Sequence, residues 1–149
     1  MSITSSDSIF YKALEIAIKA HYGQVDKGLH PYILHPVRVS SNCQTIEART
    51  IGLLHDVIED TDYRAEELIS EGIPKHIVEK VEVLTRKKGE TYNGYIDRIA
   101  QDNLAREVKI ADLKDNLDLS RIASPTDEDH KRCEKYRKVL DRLMAIRHQ

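Results

Sequence analysis

Apolar positions recur at helical spacing along almost the whole chain. Ile9, Ala13, Ile16, Ala17 and Ala20 share one stripe, which predicts an amphipathic helix capped by Ser6 or Asp7 and ended by Gly23. Gly28 and Pro31 mark an irregular loop, and Pro36 suits the first position of a short helix, where its missing N–H costs nothing. Thr45 caps a helix over 46–59 that carries Ile51, Leu53, Leu54, Val57 and Ile58. It is apolar on most sides and is expected to be the most buried element. Asp62 is placed to cap a short helix with Leu68 and Ile69, stopped near Gly72, and Pro74 opens another with Ile77, Val78, Val81 and Leu84 inward. The polar, basic stretch 85–91 reads as an exposed loop. Tyr92, Tyr95, Ile96 and Ile99 mark a further helix, and 104–119 follows with Val108 and Ala111. Ser124-Pro125-Thr126-Asp127 has the form of a capping box, before a helix that faces inward with Cys133, Tyr136, Leu140, Leu143 and Met144. No segment reads as a strand, a repeat or a low-complexity linker. The pattern predicts an all-α fold of about seven or eight helices.

Composition adds limits to this picture. The 149 residues suit a single domain, 1–149, with one core. With 23 Lys+Arg against 25 Asp+Glu the formal charge is −2, which argues against a nucleic-acid partner, since such proteins present a strongly basic face. The segment from Met1 to Phe10 lacks the basic-then-apolar order of a secretory signal, and no window holds the roughly 20 apolar residues that span a bilayer. Cys43 and Cys133 form no metal-type pair and read as two free thiols of a reducing, cytoplasmic compartment.

Chemistry concentrates in Leu53-Leu-His-Asp-Val-Ile-Glu-Asp-Thr61, where His55, Asp56, Glu59 and Asp60 interrupt the most apolar helix. Buried charge is costly unless it is paired or bound to metal. In a continuous helix His55 and Glu59 are one turn apart, as are Asp56 and Asp60, so all four share adjoining parts of one face. His35, before Pro36, and Asp112, inside Val108-Lys-Ile-Ala-Asp112, are also polar groups within apolar patterns, and Asn116 is one turn beyond Asp112. Two imidazoles and two carboxylates make a mixed set suited to Mn²⁺, Fe²⁺ or Zn²⁺. The competing reading of Glu59, Asp60 and Asp62 is a solvated acidic helix end.

These positions resemble the H…HD…D signature of HD-domain metal-dependent phosphohydrolases. Ala20-His-Tyr-Gly-Gln24, Pro31-Tyr-Ile-Leu-His-Pro36, Leu54-His-Asp-Val-Ile-Glu-Asp-Thr61 and Lys109-Ile-Ala-Asp-Leu-Lys-Asp-Asn116 are similar to the hydrolase domain of RelA/SpoT alarmone enzymes, and most of all to stand-alone small alarmone hydrolases. The resemblance implies an HD-domain helical bundle in which His35, His55, Asp56 and Asp112 bind one divalent metal, Mn²⁺ in this branch. It implies an enzyme that removes the 3′-pyrophosphate from guanosine tetra- or pentaphosphate. The length is expected to leave no room for a synthetase or regulatory domain.

Glu59 and Asp60 resemble the family's catalytic acidic pair, which positions water and accepts its proton; support of His55 is the other reading. Lys27 is available for a phosphate. Asn116 matches an asparagine on the ribose side, or is a buried amide satisfying backbone groups. Tyr136 stands where a family tyrosine meets the nucleotide, or belongs to the core stripe. The family often carries Gln-x-Arg-Lys where this chain has Gln24-Val-Asp-Lys27, so Asp26 replaces an arginine that would stack on guanine. An adenine alarmone or another 3′-phosphorylated nucleotide is therefore an alternative substrate. Asp26 either accepts a hydrogen bond from a base amino group or faces solvent. Lys87, Lys88 and Lys109 read as solvated surface lysines, and His21, His30, His76, His130 and His148 receive no catalytic role; His21 either supports the site from behind its ligands or has no part in it. A general HD nucleotidase or phosphatase is the rival enzyme, and a non-hydrolysing nucleotide-binding module the rival class.

Overall fold

A computed structural model describes residues 2–147, so His148 lies outside the described residues. Nine α-helices, a 3-10 turn at Leu119–Arg121 and one isolated bridge between Val25 and Pro31 make up its regular structure, with no strand among the described residues. In chain order the helices are α1 (Ser5–Ala20), α2 (Leu34–Ser41), α3 (Ile46–Leu54), α4 (Val57–Asp60), α5 (Ala65–Ser70), α6 (Lys75–Val83), α7 (Tyr92–Ala100), α8 (Asn103–Asn116) and α9 (Asp127–Met144). None of them is long and apolar enough to cross a membrane.

Several helix starts differ from the pattern, at α1 and α9 because a threonine forms the capping box. At α1 the Thr4 hydroxyl accepts from Asp7 N–H and the Asp7 carboxylate accepts from Thr4 N–H, both at 3.1 Å, so Asp7 is the box partner of Thr4. At α9 Thr126 and Asp129 form the same box, which leaves Pro125 before the cap. Helix α2 begins ahead of Pro36, which sits in the first turn, where its nitrogen needs no acceptor. Arg64, not Asp62, occupies the cap position of α5. Thr45 caps α3 as expected, its hydroxyl accepting from Ala48 N–H at 3.1 Å.

The single helix predicted over 46–59 is two helices. The His55 ring nitrogen Nδ1 lies 2.6 Å from the Gly52 carbonyl, the acceptor that Asp56 N–H would use in a continuing helix. The side chain has replaced the backbone donor, and the ladder stops at His55-Asp56. His55 and Asp56 are therefore held at a turn between α3 and α4 rather than along one helical face.

Helix α3 is central. It packs against α1, α2, α6 and α8, and Ala48 and the run from Thr50 to Leu54 are buried. Gly52 faces the backbone of Ser40, and a Cβ there would come within 3.1 Å of Ser40 Cα, so the absence of a side chain brings α2 and α3 together. Ile16, Leu68, Ile73, Ile96, Ile99, Leu113 and Leu143 complete the core. Met144, expected inward, is 55% exposed because α9 ends there and its last turn leaves the core. Cys43 and Cys133 are buried and free.

Candidate active site

Three parts of the fold converge on one point: the first turn of α2 supplies His35, the α3–α4 turn His55 and Asp56, and α8 Asp112. His35 Nε2 lies 2.9 Å from Asp112 Oδ1 and 3.6 Å from Asp56 Oδ2. His55 Nε2 lies 3.1 Å from Asp56 Oδ2 and 3.4 Å from Asp112 Oδ1. The four residues expected to bind a metal are thus brought together, and His35, His55 and Asp112 are buried.

The remaining nitrogens fix the chemistry. His35 Nδ1 lies 2.6 Å from Asp115 Oδ2, and His55 Nδ1 faces the Gly52 carbonyl. Both partners only accept, so both Nδ1 atoms carry hydrogen, and each Nε2 faces carboxylate oxygens, holding a proton in the metal-free ring and a lone pair where a cation takes that proton's place. His55 Nε2 is buried without a hydrogen-bond partner in the protein. Lone pairs facing carboxylates at these distances require positive charge between them, and a divalent cation fits this donor set. Burial alone would lower the pKa of each histidine, yet the carboxylates of Asp112, Asp115 and Asp56 outweigh it and raise both. Burial would likewise raise Asp56 and Asp112; the histidines, with Lys109 beside Asp112, hold both down. The site favours positive charge at its centre.

A second layer holds these groups in place, and the sequence reading missed much of it. Tyr32 OH donates to Asp56 Oδ2 at 2.5 Å. Asp115 takes hydrogen bonds from Arg38 Nε at 2.8 Å and Nη2 at 3.1 Å. The signals were present: Tyr32 is three residues before His35, and Asp115 three after Asp112 on the same helical face. Lys109, read as a surface lysine, is instead turned inward, its side chain only 12% exposed. Its ammonium donates to Asp112 Oδ2 at 2.8 Å and lies 5.3 Å from the Tyr95 ring centre, because residue 109 shares the inward face of residue 112. Lys87 and Lys88 are exposed, as expected.

Glu59 and Asp60 lie at the rim, and their carboxylates can be grouped with that of Asp56 within 4.8 Å. Glu59 Oε1 accepts from Arg86 N–H at 2.7 Å, tying α4 to the basic loop. Burial, with the charges of Asp56 and Glu59, pushes the Asp60 carboxyl up to about 6. A cleft of 350 Å³ opens beside the cluster, and Lys27, Asn116 and Tyr136 all line it, with Tyr32, Arg121 and Arg132. Asn116 Nδ2 also donates to Asp112 Oδ1 at 3.0 Å, so it joins the cleft to the cluster. Tyr136 packs on the core and borders the cleft at once. Asp26 lines the cleft too, but its Oδ1 accepts from Gly28 N–H and His30 N–H, each at 2.9 Å, and so shapes the loop. His30, His76 and His130 are exposed.

No family model matches the chain. It is 30% identical over 154 residues to a Mycobacterium leprae protein named probable GTP pyrophosphokinase, a match covering 95% of this chain and 19% of that one. It is 46% identical over 65 residues to a guanosine-3′,5′-bis(diphosphate) 3′-pyrophosphohydrolase of Borreliella burgdorferi, covering 41% of this chain and 10% of the relative. The chain spans only 10% to 19% of the length of these curated relatives. A solved metazoan structure, described as an ortholog of SpoT that hydrolyzes ppGpp, is 25% identical with a TM-score of 0.78, and the match covers 97% of this chain and 89% of that one. Shared sequence, shared fold and the converging H…HD…D residues identify the chain as an HD hydrolase domain of the RelA/SpoT type.

Proposed function

We propose that the protein is a metal-dependent pyrophosphohydrolase that removes the 3′-pyrophosphate from (p)ppGpp-like nucleotides in the cytoplasm, with residues 1–149 acting as one hydrolase domain. The observation that carries this reading is the pair of histidine Nε2 atoms facing the Asp56 and Asp112 carboxylates beside a nucleotide-sized cleft. His35, His55, Asp56 and Asp112 would hold a divalent ion, with Mn²⁺ as the proposed metal, and such an ion would supply Lewis acidity toward a phosphoryl oxygen and a water molecule. Asp60, with its carboxyl near 6, is ionised at neutral pH yet basic enough to take a proton from the attacking water. Glu59, anchored to Arg86 N–H, orients that water from the rim. Water oxygen joins the 3′ phosphorus, the bond from that phosphorus to the ribose oxygen breaks, and the ribose oxygen takes up a proton as pyrophosphate departs. Lys27 and the neighbouring Arg132 attract the phosphates; Asn116 and Tyr136 hold the nucleoside.

Asp26 favours a second reading of base preference. With one carboxylate oxygen committed to the loop and no arginine at this position, an adenine alarmone is a competing substrate. The test offers purified protein and Mn²⁺ guanosine and adenosine 3′-pyrophosphate nucleotides side by side, with mononucleotides as controls. Pyrophosphate release from either alarmone is the expected result, and the ratio reports the role of Asp26. Orthophosphate from mononucleotides alone would replace this reading with a general HD phosphatase.

A further inference from the structure

Three histidines are buried among the described residues, and only His21 has no part in the proposed cation site. It follows the last residue of α1 and is 2% exposed. Its Nδ1 lies 2.8 Å from Gln24 Oε1. The amide nitrogen of Gln24 donates to the Asp60 carbonyl at 3.2 Å, so the atom turned toward His21 is an oxygen and only accepts. Nδ1 therefore carries the hydrogen and Nε2 the lone pair. That Nε2 is buried and has no hydrogen-bond partner in the protein.

A buried acceptor calls for a donor, and the neighbouring hydroxyl is already used. Tyr32, its ring centre 5.0 Å from that of His21, commits its OH to Asp56. Burial, only partly offset by the Gln24 bond and the Asp56 charge, lowers the His21 pKa and keeps the ring neutral. The centre of the same tyrosine ring lies 5.6 Å from that of His35, which places His21 on the flank of the cation site.

We infer that His21 is a positioning residue whose Nε2 accepts a hydrogen bond from a water molecule beside the His35–His55–Asp56 cluster, in a tautomer locked by Gln24. The same glutamine tethers the backbone of Asp60, so one string of hydrogen bonds places both the water and the carboxylate that takes its proton. The effect on turnover rests on the hydrolase reading; the tautomer does not.

The test uses the full chain. Imidazole ¹⁵N spectra of the metal-free protein at neutral pH are expected to show His21 with Nδ1 protonated and Nε2 unprotonated, shifted upfield by an accepted hydrogen bond. A protonated Nε2, or one with the shift of a bare lone pair, would overturn the inference. Two variants then separate the nitrogens. His21→Asn keeps a donor near Nδ1 and loses the acceptor, whereas His21→Gln places an amide oxygen near Nε2. His21→Asn is expected to lower kcat about 10- to 100-fold at unchanged KM, and His21→Gln to recover most of that loss. Equal losses in both variants, wild-type kcat in His21→Asn, or a change in KM alone would each sink it. Should the wild-type chain release no pyrophosphate, or both variants unfold, the ¹⁵N result alone decides.

Discussion

Each candidate metal-binding histidine is oriented through its far nitrogen, His35 by Asp115 and His55 by the Gly52 carbonyl, so the cation-facing Nε2 atoms are in place before any ion arrives. Asp56→Asn keeps the size of the side chain and removes one negative charge from the centre. It is expected to abolish Mn²⁺ retention and pyrophosphate release together while the helical circular dichroism persists. Retained Mn²⁺ affinity in that variant would remove Asp56 from the ligand set. Asp115 gives a prediction in pH. Burial would raise its carboxyl, but His35 and Arg38 hold it at about 2 against an ordinary 3.8. The stabilisation is complete above 3.8 and is lost as pH falls through 2. Asp115→Asn is expected to cost about 1–2 kcal/mol in the metal-free protein at neutral pH, after allowance for solvent screening through the partly exposed Arg38 and Arg121 partners. Urea unfolding should show the gap between variant and wild type closing as pH falls through that window.

Between elements, two glycines set distances that the site depends on. Gly52 lets α3 approach Ser40 on α2, and these helices carry His55 and His35. In Gly52→Ala the overpacking cost of about 1–3 kcal/mol exceeds a gain in helix propensity of about 1 kcal/mol. A modest fall in stability is expected, with a larger fall in Mn²⁺ affinity measured by titration calorimetry. Gly28 lies against the 3-10 turn, where a Cβ would come within 2.3 Å of the Arg121 carbonyl oxygen. Gly28→Ala must move the loop that carries Asp26 and Lys27, so KM for the alarmone should rise while Mn²⁺ affinity stays. An unchanged KM would show that this wall of the cleft does not touch substrate.

At the scale of the molecule, the candidate site joins α2, α3, α4 and α8, and a cation held there would tie all four together. Binding should therefore stabilise the whole fold by mass action. With Mn²⁺ at a hundred times its Kd the gain is about 2.7 kcal/mol, which for a domain of this size raises Tm by about 5–10 °C. A chelator should reverse the rise, and Asp56→Asn should not show it. A Tm indifferent to Mn²⁺ in the wild-type chain would argue against a site in this cluster.

The helical class and the identity of the metal-type residues were legible in the linear pattern. Periodicity reports which face is buried, and polar residues inside apolar stripes at 35, 55, 56 and 112 stand out wherever they fall. Caps were less legible, because Ser124 and Thr126 each have an aspartate three residues on and so offer two equivalent boxes, of which the fold uses the second. The break at His55-Asp56 was hidden, since a side chain that displaces a backbone hydrogen bond leaves no periodic trace. The depth of Lys109, and the atoms that Tyr32, Asp115 and His21 face, were decided by the tertiary structure, although the spacing of Tyr32 and Asp115 hinted at their place. Each depends on what faces it from another helix or loop, and one chain's order of residues does not encode that distance.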